Sequence, residues 1–352
     1  MLNTKKNIRN YSKNELIAVF AELGEPAFRA KQVYQWLWKN SILDFYQMKN
    51  ISKPLQIKLD EHFETYTTAI DITQISQDGT IKVGFKTYDN ESVEGVIIPS
   101  EDRVTACISS QVGCTLSCKF CATGFLPRKR NLFAFEIYDQ VNLLNKLAEK
   151  QYGRGLTNIV YMGMGEPLLN YDEVLKSLYL LNDEEEGLGF GAKRITISTS
   201  GIVRNIKRLA DEGLKINLAL SLHASNNDKR TQIMEINKSN PLEELLEAFK
   251  YFYEKTHNKI TYEYILLSGF NDSIEDAKEL VILCQDFPVY INLIEYNAVD
   301  GTPFFKSKKE HRDKFLQTLR DNNVAAKVRK SRGKDIDAAC GQLANKIANQ
   351  TI

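Results

Sequence analysis

Between residues 158 and 330 one pattern repeats: an apolar run of strand length, a break, then an amphipathic helix. The runs are NIVYMG (158–163), RITIST (194–199), INLALSLH (216–223), ITYEYILL (260–267), YINLIEY (290–296) and AAKVRK (325–330). Helical periodicity separates them in YDEVLKSLYLL, IVRNIKRLADEG, LEELLEAFKYFYEK, IEDAKELVILCQ and KKEHRDKFLQTLRDN. Continuous apolar strands that alternate with helices specify a parallel sheet with helices covering it. The chain is therefore of the α/β class. Periodicity does not separate an open sheet from a full or partial barrel. In either, ligands bind at the C-terminal ends of the strands.

The flanks read differently. Residues 12–65 carry helical patterns, opened by Ser12 and Glu15 in the S-x-x-E form of a capping box. FRAKQVYQWLWKN places Val33, Trp36 and Leu37 on one helical face. Core anchorage is the expectation for Trp36, and a stacking surface is the open alternative for Trp38. TTAIDITQI, TIKVGFKTY, SVEGVIIP and RVTACIS alternate with period two, with an Asp78-Gly79 turn signal between the first pair, and predict an antiparallel meander. The tail DIDAACGQLANKIAN reads as helical.

Apolar residues make up 43% and charged residues 26% of the 352, an ordinary globular balance. No stretch approaches the roughly 20 consecutive apolar residues of a membrane span, and MLNTKKNIRNYSKNEL lacks the apolar core of a secretory leader. The expectation is a cytoplasmic protein with no membrane partner. A net charge of +1 leaves a nucleic-acid partner open, since local basic patches matter more than the total.

Three of the six cysteines fall within eight residues, as C-x3-C-x2-C at Cys114, Cys118 and Cys121. A structural zinc site takes four Cys or His ligands, yet no second pair follows, and the nearest histidine, His62, belongs to another module. An iron–sulfur cluster also takes four thiolates as a rule. Three leave one iron for a substrate to fill, as catalytic metal sites do. A zinc-containing, non-enzymatic RNA-binding protein is the contrasting possibility.

This spacing resembles the motif of the radical S-adenosylmethionine (SAM) superfamily. The resemblance implies a partial (β/α) barrel in which Cys114, Cys118 and Cys121 hold a [4Fe-4S] cluster whose fourth iron binds SAM. YMGMGEP directly after a strand is similar to the family's SAM-binding loop and implicates Gly165 and Glu166. Ser198 in RITISTSG, Ser221, Leu222 and His223 in SLHAS, and Asn297 in EYNAVDG end strands and resemble further SAM contacts.

A narrower resemblance spans nearly the whole chain. PAFRAKQVYQWLW, EDRVTACISSQVGC, CKFCATG, RKRNL, GMGEPLLNY, ISTSG, SLHA and DIDAACGQL occur in the order seen in the RlmN/Cfr group of RNA adenine methyltransferases. That group implies two catalytic thiols, here Cys340, which accepts a methyl group, and Cys107, which resolves a covalent RNA adduct by forming a disulfide. Glu94, in SVEGVIIP, matches the group's proton acceptor, with Cys107 as the rival base. Two SAM molecules per turnover, 23S ribosomal RNA and the tRNA adenine at position 37 as substrates, and a flavodoxin or ferredoxin as electron donor are further implications. RKSRGKDIDAACGQL is closer to the branch that methylates adenine C2 than to the Cfr branch, which methylates C8. Glu295, where many relatives have proline, and Ala298-Val299-Asp300 depart from the group's pattern. Cys284 fits simple packing. Arg128, Lys129 and Arg130, then Lys306, Lys308 and Lys309, then Arg329, Lys330, Arg332 and Lys334 are candidates for phosphate contacts, with solvated surface as the alternative.

The expected organisation is an N-terminal helical module (1–65), a short β-rich connector (66–103), a radical-SAM partial barrel (104–330) and a C-terminal segment bearing Cys340 (331–352), as a monomer.

Overall fold

The structure, a computed structural model, describes residues 5–344. Three helices come first: α1 (Lys13–Glu22), α2 (Ala27–Trp38) and α3 (Lys53–His62). The Ser12 and Glu15 capping box forms, each side chain taking the other's backbone N–H. Both tryptophans pack on the core, Trp38 more deeply than Trp36. Trp38 is 2% exposed, whereas Trp36 is half-buried and donates to Asn50 Oδ1. Two residues further along the helix, Trp38 faces α4 (Ala134–Tyr152), where its ring meets Tyr138 edge-on at 5.0 Å. Arg9 lies 4.6 Å over the Trp38 ring and makes paired hydrogen bonds of 2.7 and 2.9 Å to Asp139 of the same helix.

Helix α4 is absent from the periodic patterns read above. All eight residues from Ala134 to Val141 are buried, and the polar stripe of Glu136, Asp139 and Gln140 faces protein partners rather than solvent. The remaining helices are α5 (Tyr171–Asn182), α6 (Val203–Asp211), α7 (Asn227–Ile233), α8 (Leu242–Thr256), α9 (Ile274–Ile282) and α10 (Lys309–Asp321). No helix among the described residues is long and apolar enough to cross a membrane.

One ten-stranded sheet organises the core, its strands in sequence order. The antiparallel meander is β1 (Ala69–Ile75), β2 (Ile81–Lys86), β3 (Ser92–Pro99) and β4 (Val104–Cys107). Parallel pairing then runs from β4 through β5 (Asn158–Tyr161), β6 (Ile195–Thr199), β7 (Asn217–Ser221), β8 (Ile260–Leu266), β9 (Val289–Glu295) and β10 (Ala326–Arg329). The β-rich stretch is thus continuous with the parallel sheet. Cys107 joins the halves, paired with Val96 on one side and Val160 on the other.

Five strands separate β4 from β10, yet Cys107 and Arg329 line one cavity. The sheet must therefore curl. Its edge strands β1 and β10 do not pair, so the barrel is partial. The chain after β10 crosses the gap. Gly333 N–H donates to Asp78 Oδ2 at 3.1 Å and Ser76 Oγ to Asp335 Oδ1 at 2.5 Å, both in the β1–β2 turn. The helix expected over DIDAACGQLANKIAN is replaced, through Ala344, by a 3-10 turn at Lys334–Ile336 and irregular chain. Its last five residues lie outside the described residues.

Candidate active site

The chain leaves β4 into a loop that is fixed before it reaches the first cluster cysteine. Ser109 N–H donates to Gln140 Oε1 at 2.9 Å, and Ser109 Oγ to Glu94 O at 2.6 Å. Beyond it, Cys121 N–H donates to Cys118 O at 3.1 Å and Lys119 N–H to Ile233 O at 3.0 Å. Cys114, Cys118 and Cys121 are half-buried and line one cavity that opens to solvent.

The opposite wall is built from the C-terminal ends of β5, β6, β7 and β8. Gly163 and Gly165 follow β5. A Cβ on Gly163 would sit 2.6 Å from Ile108 O, and Gly165 has φ +92° with Gln111 Cβ 2.5 Å from where its own would be. Only glycine fits at these close approaches. Glu166 is 3% exposed and serves as a strut. Its carboxylate accepts from Thr199 Oγ1 (2.7 Å), Ser200 N–H (2.7 Å) and Leu168 N–H (3.0 Å), while burial pushes its pKa up. Ser198 and Ser221 face the same cavity, their hydroxyls 3.4 Å apart.

His223 also lines it, with a left-handed φ of +58°. Its Nδ1 accepts from Ile265 N–H at 3.1 Å, which leaves Nε2 to carry the proton. Burial, with Arg230 nearby, holds the imidazole neutral, its pKa down at about 3. Leu222 and Asn297 are not on the wall. The Leu222 side chain packs in the core, and Asn297 Nδ2 donates to Cys340 O at 3.4 Å.

A second cavity abuts the first, and Cys340 and Arg329 line both. Cys107 faces the second cavity. Its thiol is pushed up to about 12, mainly by burial and then by Cys340, with the Arg329 guanidinium opposing. Arg329 is paired with Glu263 at 3.6 Å and 3.7 Å from Met162 Sδ. All six cysteines are free, so the disulfide expected of Cys107 and Cys340 is not formed in this structure. Glu94 lines neither cavity. It is 1% exposed, 3.4 Å from Lys82 Nζ, and accepts from Ala344 N–H at 2.9 Å.

No three His, Cys, Asp or Glu side chains among the described residues converge where one metal ion could sit. Three thiols spread along one cavity wall, beside open space, suit a multi-atom iron–sulfur cluster with an exposed iron. Burial raises all three thiols, Cys114 to about 11, so loading must displace their protons.

The model of the radical SAM superfamily matches residues 108–281, and that of the ribosomal RNA large subunit methyltransferase N-terminal domain matches residues 6–65. A probable dual-specificity RNA methyltransferase RlmN from Cytophaga hutchinsonii is 52% identical over 342 residues, covering 97% of this chain and 93% of the relative. The chain belongs to the RlmN family of radical-SAM RNA methyltransferases. The same name is borne by a Christiangramia forsetii protein, 49% identical, with 98% of this chain and 97% of the relative covered. The crystal structure of a radical SAM methyltransferase from Sphaerobacter thermophilus superposes with a TM-score of 0.88 at 40% identity, covering 96% of this chain and 99% of that one. The family implies a [4Fe-4S] cluster and SAM.

In this RlmN family member several basic residues are already paired. Arg130 bridges Asp89 and Glu136, each at 2.7 Å, and Lys129 meets Glu91. Lys306, Arg312 and Lys334 converge on Glu295 at 3.0, 2.7 and 3.4 Å. The unusual Glu295 thus gathers the cations of three segments. Lys330 is exposed at the second cavity and has no ion pair among the described residues.

Sequence patterns did not single out Arg230, Glu263 or Asn271, and Arg329 was marked only as a basic residue. Arg230 is fully buried and donates to the carbonyls of Ser200, Ser221 and Leu222, tying β6 to β7. Asn271 Nδ2 donates to His223 O and Ile265 O, bracing the strained histidine. An arginine in an ordinary helical stretch and an asparagine in a turn give no local signal of such roles.

Proposed function

We propose that this enzyme methylates C2 of a specific adenine in 23S ribosomal RNA and of adenine 37 in tRNA. The observation that carries the proposal is the position of Cys340. It stands on the wall shared by the cavity of the three cluster cysteines and the cavity of Cys107. Bound to Cys114, Cys118 and Cys121, a [4Fe-4S] cluster and SAM would supply a methyl group for Cys340 and, from a second SAM, a radical source. Gly165, Glu166, Ser198, Ser221 and His223 form the wall against which SAM would lie, with the Leu222 backbone between the last two.

Methylated Cys340, once a hydrogen atom of its methyl has gone to the radical that the second SAM would supply, joins its carbon to C2; the adduct then gives up one electron, for which the cluster would be the acceptor, and the C2 proton. Cys107 is assigned the proton from C2, because it faces the same cavity as Cys340 and Glu94 does not. The Cys107 sulfur then attacks the Cys340 sulfur, and the proton it gives up is the one the departing carbon needs. A sulfur–sulfur bond forms, the carbon–sulfur bond breaks, and the carbon takes a proton to become the methyl of the product. The Arg329 guanidinium beside both sulfurs favours the thiolate against the burial that opposes it. An external thiol reductant resets the pair, and a flavodoxin or ferredoxin supplies the electron for radical formation. The enzyme works as a cytoplasmic monomer.

The test is mass spectrometry of RNA after incubation with reconstituted enzyme, SAM and reductant. Methyladenosine modified at C2 is the expected product; modification at C8 would place the chain in the other branch. Cys107→Ala is expected to accumulate RNA linked to Cys340. Free product at the normal rate from that variant would remove Cys107 from the resolving role.

A further inference from the structure

Lys82 and Glu94 are both 1% exposed at their side chains and sit on adjacent strands, β2 and β3. Val96 faces Lys82 in the register, so Glu94 is its diagonal neighbour. Neither residue lines a cavity of the active site. Their remaining contacts go to one destination. Lys82 Nζ donates to Ile336 O at 3.2 Å and to Asp337 O at 3.3 Å. The Glu94 carboxylate faces the ammonium at 3.4 Å through Oε1 and accepts the Ala344 N–H through Oε2 at 2.9 Å.

A buried ion pair is a poor source of stability, since packed apolar residues of similar volume do as well or better. The retained pair makes sense through what it grips. The segment 336–344 has no regular helix or strand beyond one 3-10 residue at its start, and its backbone turns through left-handed conformations at Asp337 (φ +52°) and Gly341 (φ +84°). Lys82 holds it on one side of Cys340 and Glu94 on the other. Between the two grips the segment is bonded to the cluster loop, Ala122 N–H to Gly341 O at 2.7 Å and Thr123 Oγ1 to Leu343 O at 2.6 Å.

We infer that Lys82 and Glu94 are positioning residues that seat the Cys340 segment between the cluster cysteines and Cys107. The inference rests on Cys340 being the methyl-accepting thiol. Lys82→Met removes the cation that joins both halves of the clasp and strands a buried carboxylate, which then takes up a proton. Lys82→Arg keeps the charge and several donors.

Both variants are to be prepared as cluster-loaded enzyme with Glu94→Gln alongside. Two rates are compared with the parent: methyl transfer from SAM to Cys340, read by peptide mass spectrometry, and tryptic cleavage at Lys330, Arg332 and Lys334. Lys82 Nζ makes two hydrogen bonds as a charged donor, and loss of even one corresponds to about tenfold or more. Lys82→Met is expected to slow methylation and speed cleavage by about that factor, with cluster absorbance and SAM binding unchanged. Lys82→Arg is expected to recover most of both rates, a rescue that a general packing defect would not show. Should Lys82→Met fail to fold, Glu94→Gln carries the test, with the same directions and smaller changes. Parent-like rates in Lys82→Met, or in Glu94→Gln where Lys82→Met is unusable, overturn the inference, as does a Lys82→Arg variant no better than Lys82→Met. If the parent itself never methylates Cys340, the proposed function fails, and the cleavage comparison still decides whether the clasp exists.

Discussion

Gly165 offers a quantitative check on how tightly the SAM-side wall is built. Alanine there would place a carbon 2.5 Å from Gln111 Cβ and 2.9 Å from Gln111 N, at φ +92°. Gln111 cannot swing aside, because its side chain donates to Asn131 Oδ1 at 2.8 Å and accepts from Glu166 N–H at 2.9 Å. Left-handed backbone costs an L-residue about 1–2 kcal/mol. Overpacking a fixed neighbour adds about 1–3 kcal/mol. Gly165→Ala should therefore lose about 2–5 kcal/mol. Gly153→Ala separates the two contributions: Gly153 has φ +68° and nothing within 4 Å of its added carbon. It should lose only the backbone part, about 1–2 kcal/mol. Urea unfolding of both cofactor-free variants gives the difference, and equilibrium dialysis of the loaded enzymes shows whether SAM retention falls only in Gly165→Ala. Equal destabilisation of the two, or a Gly165→Ala variant with parent stability and SAM retention, would refute the close-approach reasoning.

His223 gives a pH dependence. Its folded pKa, about 3, lies below the reference 6.5, so the unfolded chain takes a proton that the folded one refuses. This contribution to stability is whole above pH 6.5 and is lost as pH falls toward 3; by pH 5.5 the loss is about 1.4 kcal/mol. His223→Gln should flatten that part of the unfolding profile, and an unchanged slope between pH 7.5 and 5.5 would contradict the buried neutral imidazole. Lys330→Ala should reduce the salt dependence of RNA binding, by about 0.7–0.9 in the log–log slope for one lost phosphate contact. Arg130→Met should leave that slope alone and destabilise the fold by about 3–5 kcal/mol, since Glu136, fully buried, loses its partner. A shallower slope without destabilisation would make Arg130 the phosphate contact instead.

The legible parts of this fold were those encoded over short spans. The parallel strands showed as apolar runs, the cluster thiols as a spacing, and the α1 cap as two residues three apart. Features set by long-range packing were not legible. The polar stripe at the start of α4 is buried against protein partners that the local sequence does not reveal, and Trp36 and Trp38 are told apart only by the helix that packs on one of them. Glu94 sits in a strand whose pattern says nothing of Lys82 beside it or of the C-terminal segment above. Arg329 reads as one basic residue in AAKVRK, because the curl of the sheet decides that it faces two thiols. The tail read as a helix is instead drawn out by its bonds to the meander and the cluster loop.

Every strand of the sheet pairs with its neighbour in sequence, so the barrel can grow by successive additions with modest loop closure. The contact from Lys82 to residue 336 is of another kind, spanning 254 positions. Such distant closures come late, after the shorter ones have formed. During synthesis the loop of Cys114, Cys118 and Cys121 and the wall after β5 to β8 can therefore assemble while Cys340 is still unmade or tethered far away. The segment that bears Cys340 is then the last to dock, onto a cavity already shaped to receive it.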